Sequence, residues 1–248
     1  MPLPIVFINL VRDRERRARI ESEAHRLGLA IERIDAVWWA DLSHEDQQFL
    51  YSKSLNEKQY YQPLVAGEKG CYASHRVAWQ LLLERNAPAM VILEDDIRLD
   101  DRFAEVMEAI DQLRQPWDMI KLIGRDQEKL RASRPLTTST RLVEYSRVPS
   151  ATAGYVVSRA GAIKLLEKRQ PFGRPIDVDL RFWWECDLRV LGVVPSVLHL
   201  DETSFVSSIG YKPAPANLGT RWRKFRMKFK LTFWNSWHGI RRRCSIAL

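Results

Sequence analysis

Cysteine is scarce in this chain: three in 248 residues, Cys71, Cys186 and Cys244, odd in number, far apart and in no CxxC pair. They offer neither a disulfide framework nor a zinc site, and a reducing compartment follows. Long apolar runs are lacking too. No window approaches the roughly 18 residues of a spanning helix. The first apolar stretch, Pro2–Val11, precedes the basic run Arg12–Arg17, the reverse of a signal peptide's order. Ile5–Asn9 therefore reads as a buried first strand. Acidic residues are missing from the last thirty positions, where nine Lys/Arg stand with no Asp or Glu. Residues 1–218 then hold 30 basic against 31 acidic side chains, so the net charge of +8 belongs to the tail. A nearly neutral body argues against a broad nucleic-acid-binding face, and no nucleic-acid partner is expected. With 46% hydrophobic and 28% charged residues, disorder of the whole chain is excluded.

Apolar runs at Ile5–Asn9, Ala30–Ala36, Ala89–Leu93 and Asp118–Ile123 alternate with helical stretches at 13–27, 68–85 and 102–113. Alternation of this kind predicts an α/β sandwich with a mostly parallel sheet flanked by helices. Residues 38–66, with Trp38-Trp39 and Tyr60-Tyr61, read as helix and loop covering a cleft. Residues 124–140 are polar and breaker-rich, a mobile loop. Leu142–Val148 and Gly154–Ser158 suggest paired strands, Ala160–Lys168 a helix and Leu188–Val194 a last strand.

Ala89–Leu93 ends abruptly in Glu94-Asp95-Asp96. Open α/β sheets bind ligands beyond the carboxyl ends of their strands. Three adjacent carboxylates there repel one another unless a cation or donor-rich ligand offsets them. A hard divalent ion bridging to a diphosphate does so; a solvated turn opening a helix is the plainer reading. In Gly67–His75 a glycine-flanked helix start offers free backbone N–H groups, with Ser74 and His75 one to two turns on. An ordinary capped helix with a core-facing histidine fits the same residues. Asn9, ending the first strand, is either a base or ribose contact or a turn-forming residue.

Together and in this order the pieces resemble glycosyltransferase family 25, the bacterial lipooligosaccharide transferases and their collagen galactosyltransferase relatives. The matching residues are Phe7-Ile-Asn-Leu10 with Arg12, Arg16 and Arg17, then Gly67-Glu-Lys-Gly-Cys-Tyr-Ala-Ser-His75 with Trp79. Val91-Ile-Leu-Glu-Asp-Asp-Ile97 with Phe103, Trp117-Asp-Met-Ile-Lys-Leu122 and Gly154-Tyr-Val-Val-Ser-Arg-Ala-Gly161 follow. Pro175-Ile-Asp177 and Ser207-Ser-Ile209 complete the set, which spans roughly residues 4–210.

The resemblance implies a GT-A-like single domain over residues 1–218, a UDP-sugar donor, usually UDP-galactose, a divalent metal (Mn²⁺ or Mg²⁺), and inversion at the anomeric carbon. It implies donor contacts from Asn9, Leu10, Arg12, Glu68, Ser74, His75, Glu94 and Asp95, with Asp96 first for the metal or diphosphate. Val11 departs from the polar or acidic residue many members carry there. Lys121 pairs with a phosphate or neutralises the acidic triplet; His199 completes a metal site or is structural. Inversion needs a general base within hydrogen-bond reach of the acceptor hydroxyl, on the face opposite the leaving diphosphate. Asp177 is the candidate, with Asp179 and Glu185 as rivals among Phe182, Trp183 and Trp184.

In the tail, 219–248, Trp222, Phe225, Phe229, Phe233, Trp237 and Ile240 fall on one stripe of a basic amphipathic helix. That composition suits an anionic membrane surface, or a helix docked on the body or on a second copy in a homodimer. The expectation is a transferase peripheral on the cytoplasmic face of the bacterial inner membrane, acting on a glycolipid acceptor. Two rivals remain: a catalytically silent membrane-associated assembly partner, and a nucleic-acid-binding module using the tail.

Overall fold

Ile5–Asn9 forms β1, five consecutive buried residues, and Ala89–Glu94 forms β3 beside it. The two run parallel with Ile8 opposite Glu94, so both strands end at one edge. Glu32–Asp35 (β2) pairs parallel along the other side of β1. The structure is a computed structural model describing residues 2–124, 128–201, 218–241 and 246. Ser207-Ser-Ile209 and Cys244 lie outside the described residues.

Five further strands, β5 (Met119–Lys121), β6 (Leu130–Pro135), β7 (Arg141–Tyr145), β8 (Gly154–Ser158) and β9 (Val190–Val194), complete one sheet. Its order is β2-β1-β3-β8-β5-β9-β7-β6. The pairings leave six of the eight strands pointing one way, with β8 and β7 opposed. A short ribbon of β4 (Ile97–Leu99) and β10 (Leu198–Leu200) lies beyond β3.

Helices cover both faces, as a largely parallel sheet requires. Ile5, Phe7, Val91 and Leu93 pack against Ile20 and Ala24 of α1 (Arg14–Arg26) and Phe103 and Val106 of α5 (Phe103–Asp111). The alternate residues Val6, Ile8, Met90 and Ile92 pack against Trp79 and Leu82 of α4 (Ala66–Glu84) and Leu165 of α6 (Arg159–Lys168). α1 ends where Gly28 takes φ +65°, a backbone state open to glycine at little cost. Short helices α2 (His44–Leu50) and α3 (Lys53–Gln59) lie in the connection from β2 to α4, and α7 (Ile176–Asp179) in that from α6 to β9.

Two expectations change. Within 124–140, Leu130–Pro135 is a strand, pairing with β7 at the sheet margin. Its polar sequence carries no alternation because an edge strand there need not bury a face. β7 and β8 do not pair with each other: apolar β8 is a central strand between β3 and β5, and β7 lies between β9 and β6. The tail forms the expected helix, α8 (Leu218–Arg241), but docks by a face other than the aromatic stripe. Leu231 and Asn235 are buried, and the Trp183 indole N–H donates to Asn235 Oδ1 at 2.9 Å. No helix among the described residues is long and apolar enough to cross a membrane.

Candidate active site

A cleft opens at the ends of β1 and β3, walled by the loop after β2 and by the first turns of α4. Asn9, Leu10, Ser74, His75, Glu94, Asp95 and Asp96 line it together. Trp38 and Trp39 form the opposite wall. Gly70 explains how that loop comes so close: a Cβ there would lie 2.6 Å from the Val37 carbonyl oxygen. Ser74 ties the same loop down, its Oγ accepting from Val37 N–H at 2.8 Å and donating to Gly70 O at 2.8 Å.

The three carboxylates have separate surroundings. Asp95 is a clamp: Asn9 Nδ2 donates to one oxygen at 2.7 Å and Arg16 to the other at 3.2 Å. Burial still raises its pKa against those donors. Glu94 Oε1 accepts from Thr152 Oγ1 at 3.1 Å and lies 3.3 Å from His75 Nε2. Burial works against its charge, but the His75 and Thr152 hydrogen bonds outweigh it and lower the pKa. Asp96 differs. Its Oδ1 is buried with no hydrogen-bond partner, and burial, with Glu94 and Asp95 alongside, pushes its carboxyl up to about 6.

A buried relay fixes the histidine. Trp79 Nε1 donates to Tyr155 Oη at 2.9 Å, and Tyr155 Oη lies 2.9 Å from His75 Nδ1. Burial raises the Tyr155 pKa well above its ordinary value, so it keeps its proton. Donation from Tyr155 to Nδ1 leaves Nε2–H facing the Glu94 carboxylate, the one order in which every atom has a complementary partner. Cys71, one turn before His75, also faces this point. The ligand atoms of Cys71, His75 and Glu94 lie within 4.8 Å of one another, a grouping that absence of CxxC could not reveal because i and i+4 share a helix face.

Glu94 is the partition between this cleft and a second chamber lined by Thr152, Asp177 and His199. Burial raises the Asp177 pKa, with Lys121 opposing. Lys121 itself lines neither space. Its Nζ donates to Pro149 O at 2.9 Å and to Ala151 O, bracing the loop that walls the chamber, while burial lowers its pKa to about 7 against the pull of Asp177. His199 is exposed, 3.3 Å from Asp100, and lines the second chamber rather than the cleft holding Asp96.

Other predicted residues lie apart. Glu68 caps α4, accepting from Val65 N–H at 2.9 Å. The Arg12 guanidinium sits 4.1 Å from the centre of the Trp38 ring and does not itself line the cleft. Asp179 and Glu185 form a buried cluster with Arg169 and Arg174: Arg174 Nε reaches Asp179 at 2.6 Å, and Arg169 Nη1 reaches Glu185 at 2.7 Å. Tyr72 also donates to Asp179 at 2.6 Å. Arg174 and Arg169 hold Glu185 down to about 2 although burial opposes its charge. Residue-by-residue reading passed over Tyr155 and Thr152, whereas Trp38 lines the cleft that its segment was expected to cover. Tyr155 stood in a quoted motif, but its partner His75 is eighty positions away.

The sequence profile described as "Glycosyltransferase family 25 (LPS biosynthesis protein)" matches residues 3–180. The chain belongs to this family. Family 25 relatives include procollagen galactosyltransferase 1-B of Xenopus laevis, 29% identical over 71% of this chain and 30% of its own length. Procollagen galactosyltransferase 2 of Homo sapiens is 28% identical over 71% and 29%. A glycosyltransferase 25 family member of Aedes aegypti is 32% identical over 71% and 29%. This family 25 chain thus spans under a third of the length of these relatives.

Proposed function

We propose that this transferase moves galactose from UDP-galactose to a hydroxyl of a lipooligosaccharide-type core, with inversion at the anomeric carbon. The observation that carries the reading is the orphaned Asp96 oxygen beside Glu94 at the end of β3, with Asp177 on the far side of the Glu94 partition. The galactosyltransferase relatives support the choice of sugar, and the family's link to LPS biosynthesis supports the acceptor class.

Asp96 and Glu94 fit a hard divalent cation: one carboxylate oxygen is buried without a donor, and its charge is disfavoured until a cation arrives. Asp96, with Glu94 beside it, would hold a Mn²⁺ or Mg²⁺, which when bound would supply positive charge against the departing diphosphate. Trp38 offers a flat face for the uracil, its ring held by the Arg12 guanidinium. Asp95, already saturated by Asn9 and Arg16, holds the strand end in shape. In the second chamber Asp177, its basicity raised by burial, accepts the acceptor hydroxyl proton. The hydroxyl oxygen bonds to the anomeric carbon as that carbon's bond to the diphosphate breaks, and the electron pair leaves on UDP. The same reading locates the enzyme at the cytoplasmic face of the inner membrane, where such acceptors are built.

The test is UDP release from a panel of UDP-sugars, with Mn²⁺ and a terminally trimmed core glycolipid, followed by NMR assignment of the product anomer. UDP-galactose turnover with an inverted product is expected. No UDP-sugar binding in the presence of Mn²⁺ removes the reading.

A further inference from the structure

α8 meets the body along one face and is finished there. Leu231 is 1% exposed, Asn235 carries the bond from Trp183, His238 stacks on Trp184 at 5.9 Å, and Lys230 reaches Glu185 at 3.4 Å. The opposite face is the aromatic stripe, and it points outward. Phe225 is 67% exposed, Phe229 61%, Phe233 49% and Ile240 84%. The phenyl rings stand in file along the helix, 6.4 and 6.1 Å between successive centroids. Trp222 and Trp237 extend the row at either end, and from Trp222 to Ile240 it covers roughly 27 Å at 1.5 Å per residue. An exposed apolar row of this length marks an interaction surface rather than ordinary surface scatter.

The charge beside the row is of one sign. Arg221, Arg223, Arg226 and Lys228 are exposed beside the stripe, Lys224 lies over the Tyr61 ring of the body at 5.1 Å, and the sequence has no acidic residue from 218 to the end. Between α8 and the body, along one margin of the stripe, lies a cavity lined by Lys58, Arg223, Arg226, Phe229 and Phe233; Arg174 and Lys230 also line it but are paired with Glu185. Aromatic side chains flanked by cations match the boundary between acyl chains and anionic headgroups. A second copy of the same face would set like charges against each other.

We propose that α8 lies flat in the surface of an anionic bilayer, its aromatic row among the upper acyl chains and its flanking cations, with the cavity they border, on lipid phosphates. This goes beyond the transfer reaction and is read without donor or acceptor, so it stands or falls separately from the catalytic reading.

The full chain is mixed with vesicles of phosphatidylglycerol and phosphatidylcholine, or of phosphatidylcholine alone, and separated by flotation. Binding to the anionic vesicles, weakened by added salt, and little to the neutral ones is expected. The triple variant Phe225→Ser, Phe229→Ser, Phe233→Ser should lose about 100-fold or more in vesicle affinity. Its thermal melting should stay unchanged, since none of the three side chains is buried. Reversing charge with Arg221→Glu, Arg223→Glu and Lys228→Glu should abolish the preference for anionic lipid. Failure of the wild-type chain to float with anionic vesicles, or a serine variant that floats as well as wild type, overturns the proposal. So does a wild-type dimer that ignores vesicles and dissociates on the serine changes in sedimentation velocity, or tight RNA binding without vesicle binding.

Discussion

Replacing Asp96 with Asn should make the metal-free protein more stable while destroying its use of the metal. The Asp96 carboxyl titrates near 3.8 when unfolded and at about 6 when folded. A raised carboxylate pKa means the folded chain holds a proton that the unfolded chain has already lost between those values. Stability therefore falls as pH rises from about 4 to about 6 and stays lowered above that. At about 1.4 kcal/mol per pH unit the full penalty is roughly 3 kcal/mol. Residual solvent access and the uncompensated Asn amide reduce the expected gain to about 1–3 kcal/mol. In a chain of this length that is a rise in melting temperature of about 2–10 °C. Differential scanning calorimetry with EDTA should show the rise near pH 7.5 and almost none near pH 4. Added Mn²⁺ should raise the melting point of the wild type and not of the variant, whose transferase activity should fall by about 100-fold or more. Equal melting temperatures near pH 7.5, or a difference that does not change with pH, would refute the argument that this carboxylate is held charged for a cation.

Asp177→Asn should lower kcat by roughly 10²–10⁴ with donor KM nearly unchanged; a rise in KM at constant kcat in steady-state assays would count against a base there. Trp38→Ala should weaken UDP-sugar binding about tenfold by titration calorimetry, leaving kcat largely intact. Gly70→Ala should do the same, because its Cβ displaces the Val37 carbonyl and the loop carrying Trp38. Arg174→Ala leaves Asp179 and Glu185 short of a buried partner and should cost about 3 kcal/mol in urea unfolding. Because Glu185 is held at about 2, the stability it supplies is complete above about pH 5 and is lost as pH falls toward 2; an acid unfolding curve that Glu185→Gln leaves unshifted would contradict this.

Local pattern was enough for much of this molecule. Apolar runs ending in Asn9 and Glu94 marked two buried strands, and since parallel neighbours end at the same edge, they marked the site as well. The apolar spacing through 68–85 marked the helix α4 that carries Ser74 and His75, both of which are buried. The spacing of Phe225, Phe229 and Phe233 found the stripe on α8, but spacing cannot say whether a stripe faces in or out. What the fold alone decided are relations between distant residues. Asp95 is saturated because Asn9 and Arg16 reach it across some eighty positions, whereas Asp96 next to it is not. Asp179 and Glu185 look like catalytic carboxylates in sequence and are ion-paired to Arg169 and Arg174 in space. A carboxylate's charge, proton and role are set by what packs around it. Residue type and order determine that a carboxylate exists at a strand end; only three-dimensional neighbours determine whether it is satisfied or waiting for a ligand.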